Sequence, residues 1–225
     1  MTGRPATLAA DIAAYEAHLA RHWQDRDGAH DLAHIRRVWR NACAIVKTDT
    51  LSVNWSVLAA ATYFHDLINL PKDAPDRHLA AQKSADAAAA YLRETGFAKG
   101  DLPAVSHAIN AHSFSAGVTP QTTEAQVLRD ADRLDALGAI GLARVFQVSG
   151  ALGRAIYHLD DPFAARRAPD DSRFTIDHFP TKLLRLADDM CTDAGRRMAI
   201  ERTKVLRAFL ENLRREITVD HSMST

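Results

Sequence analysis

One stretch limits what this chain can fold into. Val57-Leu58-Ala59-Ala60-Ala61-Thr62-Tyr63-Phe64 is almost wholly apolar and ends in His65-Asp66. Val57, Leu58, Ala61 and Phe64 recur at helical spacing, so the run predicts a helix that the fold must bury. His65 follows Ala61 by four positions and lies over the buried face, with Asp66 turned about 100° further round. An imidazole and a carboxylate side by side at the end of a buried helix can converge on one cation. That donor pair suits Mn²⁺, Fe²⁺, Zn²⁺, Co²⁺ or Ni²⁺. The ordinary alternative is a helix-end hydrogen bond, and the dipeptide alone does not separate the two.

Two further segments bear on that choice. Leu32, Ile35, Val38, Ala42 and Ile45 form the apolar face of a helix beginning after Asp31, whose carboxylate is placed to cap it. His34 stands beside that face, where a lone histidine is usually a core residue. The His30-Asp31 dipeptide has no apolar helix before it and is not a second copy of His65-Asp66. Downstream, Thr122-Thr123-Glu124 opens a helix with Val127, Ala131 and Leu134 on one face. Asp130, Asp132, Arg133 and Asp135 crowd the rest of it. It reads either as a solvated acidic face with Arg133 as counter-ion or as part of a cation site. Three carboxylates exceed what Arg133 alone can pair, which favours the second.

The remainder is helical in pattern. Leu8, Ile12, Tyr15 and Leu19 mark a first helix ending near Asp27-Gly28. Asn54 is placed to cap the helix leading to His65, and Asp76 to cap an alanine-rich one that stops at Gly96. A helix from Leu102 or Pro103 carries His107 and reaches Ala111, just before His112. His107 and His112 do not share a helix face, and either can be an extra ligand or a proton donor. Gly138 and Gly141 suit close packing in the apolar stretch Leu137 to Val148. A final helix covers about 192–217, with Leu206, Phe209, Leu210 and Leu213 inward and Leu183, Leu184 and Leu186 against it. Gly150 to Pro180 lacks periodicity and reads as an irregular excursion, of the kind that lids a pocket, decorates a surface or meets another subunit. With no strand-rich segment, the expectation is an all-α single domain over 1–225. Its core lies at about 27–150, its lid-like excursion at 151–180 and its C-terminal helices at 181–217.

Composition narrows the function. Lysine plus arginine and aspartate plus glutamate balance at 28 each, which argues against a general nucleic-acid or membrane coat but allows a local basic pocket. The loop Asn69 to His78 supplies one candidate, since it follows His65-Asp66 directly and carries Lys72, Arg77 and His78. Those side chains are either solvated or hold phosphate oxygens, which need several positive donors. The longest apolar run falls far short of the ~20 residues of a membrane span, and Asp11 and Glu16 interrupt any signal-peptide stretch. Cys43 and Cys191 form no CxxC and suit core thiols in a reducing cytoplasm.

Taken in order, His34, His65-Asp66 and Asp132 on successive helices resemble the HD-domain metal-dependent phosphohydrolases. The resemblance is carried by His30 to Val38, His65 to Lys72, His112-Ser113-Phe114-Ser115, Asp130 to Ala139, and Asp177-His178-Phe179 with Lys182-Leu183-Leu184. These stretches span most of the chain and are similar to the small stand-alone bacterial proteins of the YedJ/YpgQ type. The resemblance implies the helical HD core and places His34, His65, Asp66 and Asp132 on the family's four metal-ligand positions. The implied cofactor is one divalent ion, Mn²⁺ first, with Mg²⁺, Co²⁺, Ni²⁺, Fe²⁺ or Zn²⁺ as alternatives. The implied substrate is a small phosphate compound, a nucleoside triphosphate hydrolysed to monophosphate and pyrophosphate. Neither nucleic acid nor membrane is an expected partner, and a homodimer is compatible. On this reading Asp66 or Asp132 accepts a proton from water and His112 protonates the leaving group. Arg133, Lys72, Arg77, His78 and Lys182 address the phosphates, with Arg166 or Arg167 added by the excursion. The alternatives are a 5′-nucleotidase or other phosphomonoesterase, a non-catalytic nucleotide-binding module, and a two-iron oxygenase. The oxygenase needs further histidines, and the spacing of His78, His107 and His112 does not match it.

Overall fold

The computed structural model describes residues 5–22, 31–68, 70 and 76–217. Among these the secondary structure is helical, apart from an isolated parallel bridge between Ala155 and Phe174, so the all-α expectation is met. The residues fall into two compact units. One runs to Asp135 and includes Met190–Gly195; the other holds Ala136–Asp189 and the chain from Arg196.

The first unit is built round a single helix. Its elements are α1 (Pro5–His22), α2 (Leu32–Thr48), α3 (Trp55–Phe64), α4 (Ala80–Glu94), α5 (Leu102–His112) and α6 (Thr123–Asp135). Every residue of α3 from Val57 to Phe64 is buried. A helix apolar on all sides has no face for solvent, so it goes to the middle. Accordingly α3 touches α1, α2, α4, α5 and α6. Leu58 and Phe64 are fully enclosed, each contributing about 1.5–3 kcal/mol on burial. Ala59, Ala60 and Ala61 are equally enclosed. Enlarging one of them would overpack the centre at a cost of about 1–3 kcal/mol.

The outer helices bring amphipathic stripes to α3. Tyr15 of α1 packs its ring 4.9 Å from that of Phe64, as the 15/19 repeat predicts. Asp31 caps α2 by accepting the His34 N–H at 2.9 Å. Asn54 caps α3 by accepting from Ser56 and Val57. Asp76 does not cap α4. A 3-10 turn, Arg77–Leu79, intervenes, and the Asp76 carboxylate pairs with Lys83 instead. In α4, Ala81, Ala85 and Ala88 are buried along the side that meets α5. The helix stops at Gly96, whose φ of 79° is strained for any other residue. The expected end of α1 near Asp27-Gly28 lies outside the described residues.

The second unit opens with α7 (Gly138–Ala151), where Gly138 has φ 68°. The segment after it is irregular, as expected, but it is braced. Across the bridge Ala155 donates its N–H to the Arg173 carbonyl and accepts the Thr175 N–H. The buried Asp177 carboxylate pairs with Arg167 and accepts the Asp170 N–H. One-turn α8 (His178–Thr181) and a 3-10 turn (Leu183–Arg185) lead to α9 (Asp193–Ile217), whose residues from Arg196 belong to this unit. Phe209 of α9 packs against Phe146 and Phe179, with ring centroids 5.5 and 6.0 Å apart. No described helix is long and apolar enough to cross a membrane.

Candidate metal centre

The ends of three helices and one turn of a fourth meet in the first unit. His34 is in the first turn of α2, His65 and Asp66 follow the last turn of α3, His112 ends α5, and Asp132 is in the last turn of α6. His34 Nε2 is 3.8 Å from Asp66 Oδ2 and 3.5 Å from Asp132 Oδ1. His65 Nε2 is 3.7 Å from both carboxylates, and His112 Nε2 is 3.7 Å from Asp66 Oδ1. Two overlapping donor sets, His34–His65–Asp66 and His65–His112–Asp132, each lie within 4.8 Å.

Local structure aims the imidazoles. The last carbonyls of a helix have no intrahelical N–H to accept. His65 Nδ1 uses one of these, Thr62 O at 2.8 Å, and His112 Nδ1 uses another, Ile109 O at 2.5 Å. A carbonyl only accepts, so each Nδ1 carries a hydrogen, and in the neutral ring each Nε2 turns a lone pair toward the cluster. The side chains of His34 and His65 are wholly buried, whereas those of Asp66 and Asp132 are 23% and 29% exposed. The site therefore opens on its carboxylate side.

This donor set fits a divalent ion. The 3.5–3.8 Å gaps are too long for hydrogen bonds. They are about the separation of two donors that each sit ~2.1 Å from one ion. His65 Nε2 is buried and has no hydrogen-bond partner, a state that costs about 1–3 kcal/mol unless a ligand answers it. Burial would lower the proton affinity of His65, but the Asp66 and Asp132 carboxylates outweigh it and raise the pKa to about 9. Burial would likewise raise the Asp132 carboxyl; the imidazoles of His65, His34 and His112 instead hold it well below the usual carboxylate range. Without an ion, protons on the imidazoles thus answer the two carboxylates, and a cation can take their place.

The other expected site residues belong to several different elements. Arg133 is buried on α6, close enough to Cys191 to lower its thiol pKa against the larger raising effect of burial. Arg77 donates to the Leu70 carbonyl and His78 beside it is exposed; their turn packs against the turn Phe114–Ala116 that follows His112. Lys72 lies outside the described residues. Lys182 is exposed at the end of α8 in the second unit, where Arg167 is committed to Asp177. His107 accepts the Gln121 N–H at 3.0 Å and so braces a turn. Cys43 is half-buried with its thiol pushed up to about 11 by burial, while Cys191 is exposed rather than in the core. Sequence reading put Asp135 in the acidic patch without foreseeing what it meets, and passed over Arg37. Asp135 bonds His34 across 101 residues, and Arg37 bonds Asp135 across 98. For Arg37 only its place within the family-like stretch His30 to Val38 pointed to it.

Known proteins share this arrangement of chain. The HD domain family model matches residues 31–137. Bacillus subtilis YpgQ is 32% identical over 198 residues, covering 86% of this chain and 87% of YpgQ. The crystal structure of YpgQ in complex with ADP matches with a TM-score of 0.68 at 30% identity, over 92% of this chain and 98% of that one. A Lactobacillus plantarum crystal structure matches with a TM-score of 0.74 at 29% identity, over 98% and 100%. An HD-superfamily hydrolase from Bacillus thuringiensis matches with a TM-score of 0.70 at 28% identity, over 95% and 100%. With this level of likeness over nearly its whole length, the chain belongs to the HD-domain superfamily, in the group that contains YpgQ.

Proposed function

We propose that this protein is a divalent-metal-dependent phosphohydrolase that cleaves nucleoside triphosphates to monophosphate and pyrophosphate. The observation that carries the reading is the convergence of His34, His65 and His112 Nε2 with Asp66 and Asp132 oxygens, His65 Nε2 being buried with no hydrogen-bond partner. A divalent ion held by these residues, Mn²⁺ first among the candidates, supplies charge neutralisation to phosphate and activation to water. The partly exposed Asp66 and Asp132 offer a second carboxylate oxygen each to take the proton of the attacking water. His112, at the site's edge, either completes the ligand set or, protonated at Nε2, delivers a proton to the leaving oxygen.

A polyphosphate brings more negative charge than one divalent ion offsets. Arg77, on the turn packed beside the segment after His112, is a cation at hand for it, with His78 next to it as a further polar group. Phe114, two positions beyond His112, is 78% exposed and offers an aromatic face to a base. The ADP complex of YpgQ adds support for a nucleotide. Two free thiols accord with a cytoplasmic setting. The test is to incubate Mn²⁺-loaded protein with nucleoside mono-, di- and triphosphates and inorganic tripolyphosphate, and to identify the phosphorus products. Pyrophosphate from triphosphates supports the reading. Turnover of monophosphates alone makes it a nucleotidase, and retained metal without turnover makes it a binding module.

A further inference from the structure

His34 differs from the other two histidines in how its ring is held. His65 and His112 sit at helix C-termini and use vacant carbonyls. His34 sits in the first turn of α2, where the carbonyl three residues back, Asp31 O, already accepts the Ile35 N–H. The helix N-terminus offers N–H groups and no acceptor. The acceptor for His34 Nδ1 comes instead from α6, as Asp135 Oδ2 at 2.7 Å. Asp135 is 1% exposed. Arg37, one turn along α2 from His34, grips it from the other side, Nε to Oδ1 at 2.7 Å and Nη2 to Oδ2 at 3.0 Å. Three N–H groups thus converge on one buried carboxylate.

We infer that Asp135, braced by the guanidinium fork of Arg37, is the positioning residue that fixes His34 in its metal-ligating tautomer and orientation. This rests on the metal reading above. A carboxylate only accepts, so the hydrogen of His34 is pinned to Nδ1 and the Nε2 lone pair faces Asp66 and Asp132. The planar fork of Arg37 fixes the carboxylate plane, and a lysine lacks that geometry. Because Arg37 and His34 lie one turn apart on the same helix, α2 and α6 are registered by the bond that aims the ligand.

The test is calorimetric titration of the full chain with Mn²⁺, with thermal melts of the metal-free proteins and nitrogen-15 spectra of the His34 ring. In Asp135→Asn one oxygen becomes an NH₂. It must face either Arg37, a donor, or His34, which is then driven to the Nε2–H tautomer. Loss of such an orienting partner is expected to weaken Mn²⁺ binding about 10–100-fold, with the His34 proton redistributed toward Nε2 and the melt little changed. Wild-type Mn²⁺ affinity and an unshifted tautomer in Asp135→Asn overturn the inference while leaving the metal reading intact. A wild-type chain that binds no Mn²⁺ overturns both. If Asp135→Asn does not fold, Arg37→Lys decides: weakened Mn²⁺ binding supports the inference, and undiminished binding overturns it.

Discussion

Asp130 Oδ2 accepts the backbone N–H of Thr192 at 2.7 Å, across 62 residues of sequence. The same carboxylate takes the Thr192 hydroxyl at 2.7 Å and the Cys191 N–H at 2.9 Å. Gly195 lies against it: a Cβ there would fall 2.5 Å from Asp130 Oδ2 and 2.6 Å from Thr192 Oγ1. We expect Gly195→Ala to destabilise the protein by about 1–3 kcal/mol, as overpacking of a close contact does. Urea melts check this. An unchanged midpoint would show that the carboxylate moves aside without loss.

That relationship also shows what the sequence could and could not convey. Asp130, Asp132 and Asp135 read as one acidic patch with too little counter-charge, and the cation site drawn from them centred on Asp132. The structure gives each carboxylate a separate task. Asp130 holds the start of α9, Asp132 faces the histidines, and Asp135 steers His34. Helical periodicity locates each side chain on a face, but it does not say which distant backbone or ring that face meets. The α3 core was legible because an all-apolar helix has one place to go. The caps Asp31 and Asn54 were legible because capping is local. Asp76 was misread because a 3-10 turn follows it, and a spacing pattern does not reveal that the carboxylate has Lys83 within reach.

Asp132→Ala removes a carboxylate that faces both His34 and His65 and that we propose as a metal ligand. The variant should stay helical by circular dichroism and lose Mn²⁺ in equilibrium dialysis. A variant that holds Mn²⁺ as the wild type does would remove Asp132 from the ligand set.

Metal affinity should rise with pH up to about 9, where the metal-free His65 gives up its proton. The sign follows from competition. His65 must be neutral to ligate, and below that pH its proton has to leave when the ion binds. One displaced proton makes the Mn²⁺ association constant climb roughly tenfold per pH unit until the curve flattens. Titrations at several pH values in buffers of differing ionisation enthalpy count the protons released. A pH-independent affinity between 6 and 8, with no protons released, would contradict this.

Arg77 both braces the Leu70 carbonyl and stands on the turn beside the post-His112 segment. If it also grips phosphate, Arg77→Ala should lower kcat/KM by the equivalent of about 1.5–3 kcal/mol, the range for a charged hydrogen bond. Mn²⁺ affinity should be nearly unchanged. Undiminished kcat/KM on every substrate would leave Arg77 as a loop brace alone.

The most direct test of the account follows the oxygen of the attacking water. Mn²⁺-loaded protein is given a nucleoside triphosphate in water enriched in ¹⁸O, and the products are weighed by mass spectrometry. The account predicts label in the nucleoside monophosphate, from attack at the α-phosphorus, with unlabelled pyrophosphate released. Triphosphate left intact, with label entering inorganic phosphate from a monophosphate substrate, would contradict it.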